Sequence, residues 1–107
     1  MKTLVMRIPQ TMNRFSELHK ASTTKGILSS KTKELIALVI AITVRCDRCI
    51  AYHVHDSLQA GANSEEVLET IGVAVMMGGG QSVLYGCEAM EWLDQFVVLE
   101  KNEAAVQ

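Results

Sequence analysis

The sequence predicts an all-α fold, and three observations predict it. Apolar residues recur at helical spacing along most of the chain, and no alternating strand pattern of useful length occurs. The single proline, Pro9, stands near the start and leaves the rest free to be helical. A chain of 107 residues suits one domain, 1–107, with about five helices around one small core. Hydrophobic residues make up 49%, too many for a disordered chain.

The first helix is expected from about Pro9 to Ala21, with Pro9 in the opening turn and Met12, Phe15, Leu18 and His19 on one face. "ASTTKGILSS" reads as a connection in which Gly26 is a natural stop. Ser29 or Ser30 can cap the second helix, "KTKELIALVIAITV". Apolar residues surround the axis of that helix, which places it in the core or at a subunit interface. The third helix starts near Arg45 to Asp47 and ends at "QAGAN", where Gly61 supplies a left-handed stop. Asn63 and Glu66 form a capping-box pattern for the fourth, "SEEVLETIGVAVMM". Three glycines at 78 to 80 should then break or sharply bend the chain. The last helix, from about Gln81 to Val98, carries Leu84, Cys87, Met90, Leu93 and Val97 on one side. Cys87, Met76, Met77 and Met90 read as packing residues, and "KNEAAVQ" reads as a loose tail. So many apolar helix faces are poorly hidden in a monomer, so an oligomer is expected.

Composition narrows the function. The net charge is −2, the sequence pI is near 5.9, and there is no Lys/Arg cluster, so a nucleic-acid partner is not expected. The most apolar run, "LIALVIAITV" from Leu35 to Val44, is ten residues long, where a bilayer helix needs about 20; no membrane role is expected. "MKTLVMRIPQ" lacks a secretory apolar stretch, so the cytoplasm is the expected location. Three cysteines do not make a secreted disulfide framework. A close pair in a reducing compartment points to catalysis or metal binding.

That pair lies in "RCDRCIAYHVH", residues 45 to 55. Cys46, Cys49, His53 and His55 superficially form a zinc set, but one helix cannot surround a tetrahedral ion, and His53 and His55 point roughly 200° apart. Iron–sulfur ligation needs more cysteines, and haem attachment needs a histidine directly after the second cysteine, where Ile50 stands. Neither metal nor cofactor is expected. Two buried, inert cysteines are the plain alternative. Against it, the pair sits at a helix start, where free N–H groups and the helix dipole favour a thiolate, with Arg45 and Arg48 adjacent. Cys46, Cys49 and His53 also fall within about 60° on a helical wheel, so the imidazole lies one turn beyond Cys49. Such a thiol–base arrangement activates a nucleophilic sulfur. His55 points elsewhere, and His19 has no catalytic neighbour in sequence.

Glu34 lies twelve positions before Cys46. Alone it reads as a solvated carboxylate in a first helical turn. Together, Glu34, Cys46, Cys49 and His53 at these spacings resemble the signature of the AhpD-like alkylhydroperoxidases of the carboxymuconolactone decarboxylase superfamily. The resemblance covers about residues 8 to 98. It implies an all-helical fold assembled as a homotrimer or homohexamer. It further implies that Cys49 is the peroxidatic thiol and Cys46 the proton donor and resolving thiol, the two closing a Cys46–Cys49 disulfide. Glu34 and His53 would relay protons. A hydroperoxide or disulfide would be the substrate, and a thiol- or lipoyl-type redox protein the reductant. The family pattern has a histidine before the second cysteine, where this chain has Arg48; a guanidinium favours a thiolate but shuttles no proton at neutral pH.

The expectation is therefore a thiol-dependent peroxidase or disulfide reductase with an antioxidant role. Two alternatives stand beside it. One is a decarboxylase of a carboxylated lactone, a group that lacks this cysteine pair. The other is a redox-sensing oligomer without turnover.

Overall fold

A computed structural model describes residues 2–106, and six helices occupy most of them. They are α1 (Lys2–Arg7), α2 (Pro9–Thr23), α3 (Ser30–Thr43), α4 (Asp47–Gln59), α5 (Ser64–Gly78) and α6 (Gly80–Val106). No strand occurs among the described residues. The all-α expectation holds, with one more helix than anticipated. α1 is separated from α2 by Ile8, which precedes Pro9 and leaves the helical region at φ −133° and ψ 63°.

Local chemistry sets the boundaries. Ser29 caps α3 by accepting from the Thr32 N–H. Asn63 and Glu66 cap α5 reciprocally, each side chain accepting the other's backbone N–H. Gly61, at φ 104°, ends α4 in a Schellman turn: its N–H donates to Leu58 O and that of Ala62 to Ser57 O. Gly79, at φ 71°, separates α5 from α6, so the glycine run breaks the chain as its composition requires.

α3 is the central element. It packs chiefly on α4 and α5, and α6 closes over α5 and α4. The core comprises Leu38, Ala41 and Ile42 of α3, Ile50 and Val54 of α4, Val67 and Ala74 of α5, Ala89 and Leu93 of α6, and Ala62 between helices. Each large aliphatic side chain buried there stabilises the fold by about 1.5–3 kcal/mol. α1 and α2 bury no residue, and α2 packs on the body mainly through α3.

The phase of α6 departs from expectation. Its buried positions are Ser82, Gly86, Ala89 and Leu93, while Leu84, Cys87 and Met90 are exposed. The cause is close helix approach. A Cβ on Gly86 would lie 3.0 Å from the Ile71 methyl of α5, so only small residues fit the seam. Met76 and Met77 are likewise exposed, because α5 turns Val67 and Ala74 inward. Cys87 and the three methionines are thus surface residues, not core filling. The "KNEAAV" stretch continues α6 to Val106 instead of forming a tail, since nothing after Val98 breaks a helix; Gln107 lies outside the described residues. No helix among them is long and apolar enough to cross a membrane.

Candidate redox site

The site is built where α3 ends and α4 begins. Arg45 adopts φ 61° and completes a Schellman turn: its N–H donates to Ile42 O at 3.2 Å and that of Cys46 to Ala41 O at 3.0 Å. This reverses the chain within three residues and makes Cys46 the N-cap of α4. Cys49 is the third residue of that helix. The two cysteines are joined as a disulfide, with Cα atoms 5.2 Å apart. Both are half-buried, and Cys49 rests against the core.

α4 begins differently from α3 and α5. The Cys46 side chain makes no capping hydrogen bond to the N-terminal N–H groups, unlike those of Ser29 and Asn63 in α3 and α5. The positive end of the helix dipole therefore faces the sulfurs, and a thiolate is favoured there.

His53 lies one turn beyond Cys49 on the same helix, which sets their Cβ atoms about 5–6 Å apart. Its Nδ1 is 2.8 Å from Glu34 Oε2. Glu34 is 5% exposed, so this carboxylate is buried and not solvated as its position alone suggests. It occupies the same α3 stripe as Leu38, Ala41 and Ile42, and that stripe faces α4. A buried carboxylate requires a hydrogen-bonding partner, and the imidazole provides it. Nδ1–H donation to Glu34 leaves Nε2 of His53 free to accept or deliver a proton. Glu34 and His53 are thus in direct contact, and His53 shares the first turns of α4 with Cys46 and Cys49.

His19 was not foreseen in this neighbourhood. Its ring stacks on that of His53 with centroids 6.4 Å apart, although it belongs to α2. No local spacing in the sequence signals this, because the contact arises from packing between helices. A cleft of about 460 Å³ opens here, with His19, Thr23, Ser30, Glu34 and Asp56 in its walls.

The opposite flank of α4 faces α6. Arg48, Tyr52 and His55 line a cleft of about 660 Å³ with Trp92 and Phe96. His55 is exposed and packs edge-on against Phe96 at 5.4 Å. Glu88 lines this cleft beside Asp47. Partial desolvation, then the hydrogen bond and charge of Asp47, push its carboxyl above the usual range. Arg48 therefore stands across the helix from the Glu34–His53 pair.

Comparison with known proteins accords with this architecture. The chain matches the carboxymuconolactone decarboxylase family over residues 9–92. An uncharacterised protein of Cupriavidus necator is 34% identical over 86 residues, spanning 80% of this chain and 76% of that one. A solved structure of a carboxymuconolactone decarboxylase family protein from Legionella pneumophila has a TM-score of 0.85 at 42% identity, covering 89% of this chain and 85% of its own. One from Thermotoga maritima, for which involvement in an antioxidative response has been suggested, has a TM-score of 0.81 at 36% identity, covering 87% and 96%. With sequence and backbone both in agreement over most of its length, this chain belongs to the carboxymuconolactone decarboxylase family.

Proposed function

We propose that the protein is a thiol-dependent peroxidase of the alkylhydroperoxidase type, with Cys46, Cys49, His53 and Glu34 as its catalytic residues. The observation that carries this reading is the conjunction at the start of α4 of a bridged Cys46–Cys49 pair and a His53 held at 2.8 Å by buried Glu34. The suggested antioxidative role of the Thermotoga relative supports it.

In the reduced state, the Cys49 thiolate attacks the terminal oxygen of a hydroperoxide. An S–O bond forms, the O–O bond breaks, and the alkoxide leaves as an alcohol after taking a proton. Cys49 becomes a sulfenic acid and the peroxide is reduced by two electrons. Cys46 then attacks the Cys49 sulfur, the S–O bond breaks, and the departing hydroxide leaves as water. The Glu34–His53 pair serves as acid and base at these proton transfers. A dithiol reductant restores the pair by exchange, through a mixed disulfide. A thiol- or lipoyl-type redox protein is the natural donor, and the cytoplasm the compartment that supplies one. No resident cofactor is required by this cycle.

The test is peroxide turnover with an organic hydroperoxide and a dithiol. Wild type should turn over, and Cys49→Ser and Cys46→Ser should each abolish it. Full turnover by Cys49→Ser overturns the proposal. So does a Cys46→Ser/Cys49→Ser double variant that consumes a carboxylated lactone, which would establish the decarboxylase instead.

A further inference from the structure

We propose that His19, Glu34 and Asp56 form a binding site for a divalent transition-metal ion of the Zn²⁺ class, which fastens α2 to α3 and α4. One ligating atom from each residue lies within 4.8 Å of the other two. Ligands of a tetrahedral ion at about 2.1 Å stand roughly 3.4 Å apart, so the set must contract slightly. α2 can supply that movement, because it buries no residue of its own.

The donor chemistry selects the ion. Two carboxylates neutralise a divalent cation, and an imidazole nitrogen favours zinc, cobalt or iron(II) over calcium or magnesium. Three protein ligands leave a coordination position open to the cleft that His19, Glu34 and Asp56 share.

A second observation points the same way. Glu34 is nineteen-twentieths buried, yet only Oε2 has a hydrogen-bond partner among the described residues. Its other oxygen accepts no hydrogen bond from them and is open to the cleft that the carboxylate borders. Lys20 and Lys25 line that cleft as well, but neither comes within ion-pair distance of Glu34 or Asp56 among the described residues. The only charge partner of Asp56 there is its neighbour His55, at 3.2 Å. Neither carboxylate is thus paired with a lysine of the cleft. The His53 hydrogen bond would orient the Glu34 carboxylate as a second-layer partner does in metal sites.

The experiment uses the full-length protein in its Cys46–Cys49 oxidised form, so that the thiols are not ligands. Co²⁺ is titrated and its visible d–d absorption followed, and Tm is measured with and without Zn²⁺. The expected result is saturation at one ion per chain and a Tm raised by Zn²⁺ but not by Mg²⁺. His19→Ala and Asp56→Asn should each weaken Co²⁺ binding at least tenfold, whereas His55→Ala should not. Both His19 and Asp56 lie outside the core, so circular dichroism should show these variants folded. No spectral change and no Tm shift at millimolar metal would overturn the site. So would undiminished binding by both variants, or loss of binding confined to His55→Ala.

Discussion

Arg45 shows at the residue scale how the chain spends stability to shape the site. A non-glycine residue at φ 61° costs on the order of 1 kcal/mol against glycine, yet this conformation sets Cys46 at the head of α4. Arg45→Gly is therefore expected to raise stability by about 1 kcal/mol, read as a Tm increase of about 4–8 °C. An unchanged or lowered Tm would show that the arginine side chain offsets the strain. The cysteine pair and His53 were legible from spacing, because i, i+3 and i+4 relations within one helix are fixed by its pitch. Glu34 was not legible from its own position, which reads as solvent-facing; resemblance alone singled it out. Its burial follows from the phase of α3, which carries it inward with Leu38 and Ile42. His19 was illegible altogether, since only the docking of α2 brings its ring to His53.

At the scale of elements, starts and stops were legible where side chains cap backbone groups. Ser29, Asn63 with Glu66, Gly61 and the glycines at 78 to 80 all act where the sequence indicates. Asn63→Ala should cost about 1 kcal/mol, a Tm loss of about 4–8 °C by calorimetry. Glu66 also pairs with Lys31 at 2.8 Å, and that hydrogen bond, with the one from the Asn63 N–H, holds its carboxyl below the usual range. A carboxyl lowered on folding contributes stability above its ordinary pKa and loses it as pH falls through the folded value. Glu66→Gln should accordingly be less stable than wild type at neutral pH, with the difference shrinking as the solution is acidified. A pH-independent difference would contradict the ion-pair account. What hydrophobicity misjudged was α6. Its buried seam runs through Ser82, Gly86 and Ala89, small residues that carry little apolar signal but permit close approach, while the bulkier Leu84 and Met90 face outward.

The outward-facing side chains acquire meaning at the scale of the whole molecule. The chain exposes 7607 Å², against about 5,900 Å² for a folded monomer of its mass. Its radius of gyration is 14.9 Å, where about 13 Å is usual. Much of the excess is apolar: Phe15 and Leu18 on α2, Ile36 and Ile40 on α3, Leu84 on α6. Self-association is the expected outcome, as a trimer or hexamer by family resemblance. Light scattering should give a mass several times 11.8 kDa, and a Phe15→Glu/Leu18→Glu variant should shift toward smaller species. A monomeric wild type would contradict this. In the proposed cycle, buried Glu34 serves the cysteine pair at the head of α4 through His53. The most direct test mixes fully reduced protein with an organic hydroperoxide and follows formation of the Cys46–Cys49 disulfide by stopped flow, in wild type and Glu34→Gln. A rate about 100-fold lower is expected in the variant, whereas equal rates in the two proteins would remove Glu34 from the proton relay.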